Sequence, residues 1–145
     1  MKISDIMTTN VATLEPQATV MDAAKVMQAH NIGSIPVCNK DHQLLGIVTD
    51  RDIIVRNIAN DGDPRTTKLD VLMTKQVVWA EPDMDINQAI QLMIQTKIRR
   101  LPVVKNMKLV GIIALGDLAT NIKADQRAGD ALSQISTPSR PVNMH

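Results

Sequence analysis

The chain has 145 residues, 44% of them hydrophobic, which suits one compact domain or two small halves sharing a core. Its 16 basic and 15 acidic residues nearly cancel, which removes the electrostatic case for a dedicated nucleic-acid or membrane-surface protein. Phe and Tyr are absent and Trp79 is the one aromatic residue, which argues against the stacked-ring platforms of single-strand and RNA readers and leaves nine Met with Ile, Val and Leu to fill the core.

The segment Met1-Lys2-Ile3-Ser4-Asp5 lacks the apolar run of a signal peptide, and no stretch approaches the roughly 18 apolar residues of a membrane span. The single cysteine, Cys38, lies in the apolar run Ile35-Pro36-Val37-Cys38, so it reads as a small buried hydrophobe in a reducing compartment. The expectation is a cytoplasmic protein without membrane segments.

From Thr19, a good N-cap, the positions Val20, Ala23, Ala24 and Met27 follow helical spacing. Two β-rich runs follow, Ser34 to Cys38 and Leu44 to Thr49, joined by a polar turn. A helix is expected from Arg51 to Asn60, ending near the turn-rich Asn60-Asp61-Gly62-Asp63-Pro64. The order then recurs, with a helix from Asp85 through Ile86, Ala89, Ile90 and Met93. Runs at Arg100 to Val104 and Leu109 to Ala114 come next, then a helix from Asp117 to Lys123. Ala128 to Ile135 reads as a short amphipathic helix, and Ser136 to His145 as a tail without anchors.

This recurrence is an internal duplication. Asp5 to Val37 aligned on Val71 to Val103, at an offset of 66, gives 10 identities in 33 positions. They include Met7-Thr8 with Met73-Thr74, Glu15-Pro16 with Glu81-Pro82, and Pro36-Val37 with Pro102-Val103. The offset falls to 65 in the hairpin loop, where Asn39 to Gln43 is one residue longer than Lys105 to Lys108. Each copy runs short strand, helix, strand, strand, helix and buries poorly alone, so the halves are expected to pack on one another. The division reads as a first motif over 1–60, a linker over 61–70, a second motif over 71–124 and a C-terminal segment over 125–145.

Gly46-Ile47-Val48-Thr49-Asp50-Arg51-Asp52 is the most specific local signal: a buried strand turns into a helix at a hydroxyl residue, with a carboxylate three positions on. Such a corner suits a nucleotide. Helix N–H groups favour phosphate, Thr49 adds a hydroxyl, the two oxygens of Asp52 can accept from both ribose hydroxyls, and Gly46 allows close approach to the backbone. Thr49-x-x-Asp52 is equally close to a helix capping box, which needs no ligand. The second copy, Gly111-Ile112-Ile113-Ala114-Leu115-Gly116-Asp117, keeps the glycine and carboxylate without the hydroxyl, and a carboxylate kept without its capping partner speaks for a ligand.

Together, the duplication, the Ile-x-x-x-Pro-Val strands and the Gly-Ile-Val-Thr-x-x-Asp corner resemble a tandem pair of CBS domains, the Bateman module, over Ile3 to Asn121. More narrowly, the chain is similar to small stand-alone bacterial CBS-pair proteins. The resemblance implies an α/β (α+β) fold of two pseudo-twofold-related motifs packed sheet to sheet with helices outside. It also implies two clefts, each taking an adenosine derivative: AMP, ADP, ATP, S-adenosylmethionine or NAD. One cleft would use Ile47, Thr49 and Asp52 with Ile98, Arg99 and Arg100. The other would use Thr13, Ile32, Gly33 and Ser34 with Ile112 and Asp117. The first ranks higher because it holds both polar corner residues and two arginines.

Lys97, Arg99 and Arg100 form the densest basic spot, suited to bidentate phosphate binding or, alternatively, to a solvated or salt-bridged turn. Trp79 stands where the first copy has Thr13, so it either borders the first cleft or packs between the halves.

The leading expectation is therefore a regulatory, energy- or metabolite-sensing module that acts on a separate, unidentified protein partner, needs no cofactor, and forms the homodimer common among such modules. The alternative is a ligand-free dimeric scaffold. An enzyme is disfavoured, since Walker-type, His-Glu-x-x-His and Gly-x-Ser-x-Gly patterns are absent. His30, His42 and His145 lack the spaced partners of a metal site, and no helix-turn-helix or zinc module is visible for DNA.

Overall fold

The computed structural model describes residues 1–122, so the expected helix at Ala128 to Ile135 and the tail after it lie outside the described residues. The elements are α1 (Val20–His30), β1 (Ser34–Cys38), β2 (Leu44–Thr49), α2 (Asp50–Asp52), α3 (Leu69–Leu72), α4 (Ile86–Thr96), β3 (Arg100–Lys105), β4 (Lys108–Ala114) and α5 (Leu115–Ile122). The fold is mixed α/β with two small antiparallel sheets, β1 with β2 and β3 with β4.

Two compact units are present. One comprises Asn10–Val77 with Asn106–Leu109 and is called the first-repeat unit; the second-repeat unit comprises Met1–Thr9, Val78–Lys105 and 110–122. The units thus differ from the sequence repeats. Met73-Thr74 belongs to the unit built on the first repeat, and Met7-Thr8 to the unit built on the second.

Within the first-repeat unit, α1 begins as its sequence dictates. The Thr19 hydroxyl accepts the Asp22 N–H at 3.1 Å, Asp22 Oδ2 accepts the Thr19 N–H at 3.0 Å, and the helix ends at Asn31 in the left-handed conformation (φ 53°). The hydrogen bonds of Asp22 with Thr19, the backbone N–H first, hold its carboxyl below the usual value. In the β1–β2 hairpin, Ser34 lies opposite Thr49 and Pro36 opposite Ile47. Single-residue bridges flank it, Leu14 beside Val37 and Thr74 beside Ile47. The expected short first strand is only that bridge, because Pro16 follows two residues later without an N–H to extend the ladder. Val20, Ala23, Met27, Ile35, Val37, Val48, Ile53, Leu69, Leu72 and Met73 form the core.

The second-repeat unit repeats this plan. Gln88 Oε1 accepts the Asp85 N–H at the start of α4, and Lys97 (φ 57°) closes the helix. Ala80 bridges Val103 and Thr8 bridges Ile112. Its core is Ile3, Ala80, Ile86, Ala89, Ile90, Met93, Leu101, Val103, Ile113, Leu115 and Leu118. Side chains of similar size recur at the repeat offset, Ile35 with Leu101 and Leu69 with Ile3.

Three helices depart from expectation: α5 begins at Leu115, two residues before the expected Asp117, and the other two differ more. The helix after β2 begins at Asp50, one residue before Arg51, and is α-helical only to Asp52. It then widens into a π turn, Ile53–Asn57, and tightens into a 3-10 turn, Ile58–Asn60. The β-branched run Ile53-Ile54-Val55 is a poor α-helix former, and the buried Asn57 ends the π turn with its carbonyl accepting the Gly62 N–H at 2.9 Å. Helix α3 also straddles the boundary between the expected linker and second motif, anchored by the buried Leu69 and Leu72.

Candidate functional site

Each corner is built where a buried strand meets a helix. At the first, Thr49 caps α2 in extended conformation: its hydroxyl accepts the Asp52 N–H at 3.1 Å, and Asp52 Oδ2 accepts the Thr49 N–H at 2.9 Å. The capping box left open by the sequence is therefore formed. Asp52 Oδ1 makes no hydrogen bond among the described residues and lies 3.8 Å from Arg56 Nε. One carboxylate oxygen, rather than the two expected, is thus free of the backbone. The Thr49 hydroxyl, having accepted, still carries a proton to donate.

At the second corner Asp117 Oδ2 accepts the Ala114 N–H at 3.1 Å. A cap role therefore accounts for Asp117 better than the missing hydroxyl suggested. The carboxylate half of the box works without the hydroxyl, and Asp117 has a structural reason to be there.

The glycines have a packing reason too. A Cβ on Gly46 would lie 2.8 Å from the Thr74 carbonyl oxygen and 2.9 Å from Met73 Sδ; on Gly111 it would lie 2.8 Å from both Met7 Sδ and the Thr8 carbonyl oxygen. Both therefore make room for a neighbouring segment of the chain. Gly33 sits against Asp50: its carbonyl accepts the Asp50 N–H at 2.9 Å, and a Cβ there would approach Asp50 Oδ2 to 3.0 Å.

The first-repeat unit thus brings Gly33 and Ser34 beside Thr49, with Ile32 preceding them and Asp52 and the half-buried Ile47 flanking the corner. Ser34 Oγ is buried without a hydrogen-bond partner. Thr13 is half-buried one residue before the Leu14 bridge. The second-repeat unit brings Arg99 beside its own corner, its carbonyl accepting the Leu115 N–H at 2.8 Å. Arg99 and Arg100 are exposed, Ile98 is half-buried and Ile112 is buried. Lys97, Arg99 and Arg100 make no ion pair among the described residues, so the salt-bridged alternative for this spot is not seen. Trp79 is 46% exposed.

Sequence reasoning missed Arg56, whose Nη1 donates to the Leu72 carbonyl at 3.1 Å. Its i, i+4 spacing from Asp52 was the available signal. Cys38 is buried and desolvation pushes its thiol up to about 11, which leaves it protonated and unreactive at neutral pH. A shallow groove of about 370 Å³ on α4, lined by Met84, Asn87, Gln88, Gln91, Leu92 and Gln95, contains none of these residues. Among the described residues, no three His, Cys, Asp or Glu side chains form a metal set, and no helix is long and apolar enough to cross a membrane.

The chain is similar to known proteins in sequence and fold. The CBS domain matches twice, over residues 3–57 and 68–124. CBS domain-containing protein YhcV of Bacillus subtilis is 46% identical over 134 residues, 92% of this chain and 94% of that protein. Hypoxic Response Protein I, whose crystal structure carries two coordinated zinc ions, aligns with a TM-score of 0.77 at 32% identity, over 83% of this chain and 98% of that one. The CBS domain pair of protein MJ0100, crystallised with 5′-methylthioadenosine and S-adenosyl-L-methionine, aligns with a TM-score of 0.73 at 26% identity, over 84% of this chain and 95% of that one. The chain belongs to the CBS domain family, as a tandem pair of CBS domains.

Proposed function

We propose that this chain is a regulatory, non-catalytic module that binds an adenosine compound (AMP, ADP, ATP, S-adenosylmethionine or NAD) and reports its occupancy to a separate protein. The observation that carries this reading is the first corner: a Thr49 hydroxyl able to donate, an Asp52 oxygen free of the backbone beside a cation, and an unpartnered buried Ser34 hydroxyl on the neighbouring strand. Ribose hydroxyls complement such an acceptor and donor pair. The adenosyl ligands of the MJ0100 pair support the ligand class.

Ile47, Thr49 and Asp52 with Ile98, Arg99 and Arg100 are the first set of contact residues. Ile47 in the first-repeat unit and Ile98 in the second-repeat unit each offer an aliphatic face suited to a base, and the arginines suit phosphate. Thr13, Ile32, Gly33 and Ser34 with Ile112 and Asp117 are the second and weaker set. Isothermal titration with the five compounds tests this. At least one is expected to bind wild type and to bind Asp52→Ala at least tenfold more weakly; equal binding to both removes Asp52 from the site.

The second reading, a ligand-free dimeric scaffold, gains from the finding that both glycines and both carboxylates already serve the fold. Either reading expects a homodimer, and Ile54, Val55 and Ile58 after α2 are exposed hydrophobic residues available to one. Sedimentation is expected to show a dimer, and a monomer at micromolar concentration refutes that assembly.

A further inference from the structure

Arg56 joins two parts of the first-repeat unit that are 16 residues apart in sequence. Its Nε faces Asp52 Oδ1 at 3.8 Å, and its Nη1 donates to the carbonyl of Leu72, the last residue of α3. The next two residues are Met73 and Thr74. The Met73 thioether and the Thr74 carbonyl pack over Gly46, and Thr74 exchanges both backbone hydrogen bonds with Ile47 at 2.9 Å. The path therefore closes on itself: Ile47 and Thr49 in β2, the Asp52 carboxylate, the Arg56 fork, the end of α3, and back to Ile47.

Among the described residues the second repeat has no counterpart. Asn121 occupies the position of Arg56 and donates to the Asp117 backbone carbonyl at 2.7 Å, within its own helix. Ile6 stands in the place of Leu72.

We infer that Arg56 is a positioning residue that links the Asp52 carboxylate to the docking of segment 72–74 on β2, so that occupancy of the first corner is transmitted to α3. This rests on the proposed function in taking Asp52 as the ribose acceptor. A guanidinium suits the task because its planar, delocalised charge can pair with the carboxylate through Nε while Nη1 donates to the Leu72 carbonyl, which a lysine ammonium on a flexible stem does less well. A ribose hydroxyl on Asp52 Oδ1 fixes the carboxylate, the carboxylate fixes Arg56, and Arg56 holds the end of α3. Coupling of this kind is energetic and reciprocal, so whatever grips α3 also changes ligand affinity.

Hydrogen exchange read by mass spectrometry on the full chain tests both parts. Without nucleotide, Asp52→Asn and Arg56→Met are each expected to speed exchange at Met73, Thr74 and Ile47 by about fivefold, with the double variant no faster than either single one. Arg56→Lys is expected to recover part of the protection. Unchanged exchange at those amides, or effects that add in the double variant, overturn the link. With excess AMP, wild type is expected to slow at both Thr49 to Asp52 and Met73-Thr74, and Arg56→Met at the former alone. Slowing of Met73-Thr74 in Arg56→Met overturns the role of Arg56. AMP that slows exchange nowhere overturns the transmission of AMP occupancy and counts against the nucleotide reading, while the arm without nucleotide still decides the mechanical link.

Discussion

The two corners descend from one motif and have diverged in a single layer. Both keep the glycine that admits a neighbouring chain segment and the carboxylate that accepts a backbone N–H. They differ in what stands around the carboxylate. Thr49 and Arg56 at the first become Ala114 and Asn121 at the second, and a side-chain network becomes a helix-internal bond. The shared residues therefore serve the fold, and the residues that differ are where a ligand-binding asymmetry can reside.

Paired substitutions sharpen this comparison. The largest effects are expected to be equal in the two units. Ile35→Ala and Leu101→Ala each remove a fully buried side chain, and each should cost about 2–5 kcal/mol in denaturant unfolding. A marked inequality would show that the units do not share one packing plan. Gly46→Val and Gly111→Val should both destabilise by about 1–3 kcal/mol, because each drives a side chain into atoms now 2.8 Å from the missing Cβ. A thermal melt that left either unchanged would reopen a ligand role for that glycine.

The caps should split the pair. Thr49→Ala should cost about 1 kcal/mol by removing the acceptor of the Asp52 N–H, whereas Ala114→Thr should gain up to about 1 kcal/mol by supplying one. Chemical denaturation measures both, and a loss from Ala114→Thr would mean that the second corner cannot take the first corner's geometry.

The smallest effect concerns acid. The carboxyl of Asp22 lies below its ordinary value of 3.8 in the folded protein, so the fold favours its charged form. That contribution is present above the ordinary value and is lost as pH falls through the lower folded one. Asp22→Asn should slightly flatten the acid limb of a stability–pH profile. Because Asp22 is exposed, solvent screening keeps the effect small, and a steepened limb would contradict the assignment.

Much of this fold was legible in the sequence. The limits of β1 and β2 and the caps at Thr19 and Asp85 follow from local pattern, because strand alternation and capping chemistry act over a few residues. Helix α3 was not, although Lys68-Leu69 repeats Lys2-Ile3 at the same offset, because neither run carries a helical pattern long enough to read. The π turn was not, since it depends on the buried Asn57 and on Gly62 arriving from beyond the helix. Nor was the reason for Gly46. The residues that need its missing side chain, Met73 and Thr74, are distant in sequence and reach β2 only through long-range pairing. Corner chemistry was read correctly as residue types and incompletely as geometry, because a capping carboxylate and a ribose-binding carboxylate use the same spacing.

Thermal melts of wild type, Asp52→Ala and Asp117→Ala against adenine nucleotides, S-adenosylmethionine and NAD test the asymmetry most directly. A ligand at about 100 times its dissociation constant adds about 2.7 kcal/mol of stability. The account predicts a shift in wild type that survives Asp117→Ala and disappears in Asp52→Ala. A shift that survives Asp52→Ala and is lost only in Asp117→Ala would contradict it, and no shift with any of the compounds would leave the scaffold as the better reading.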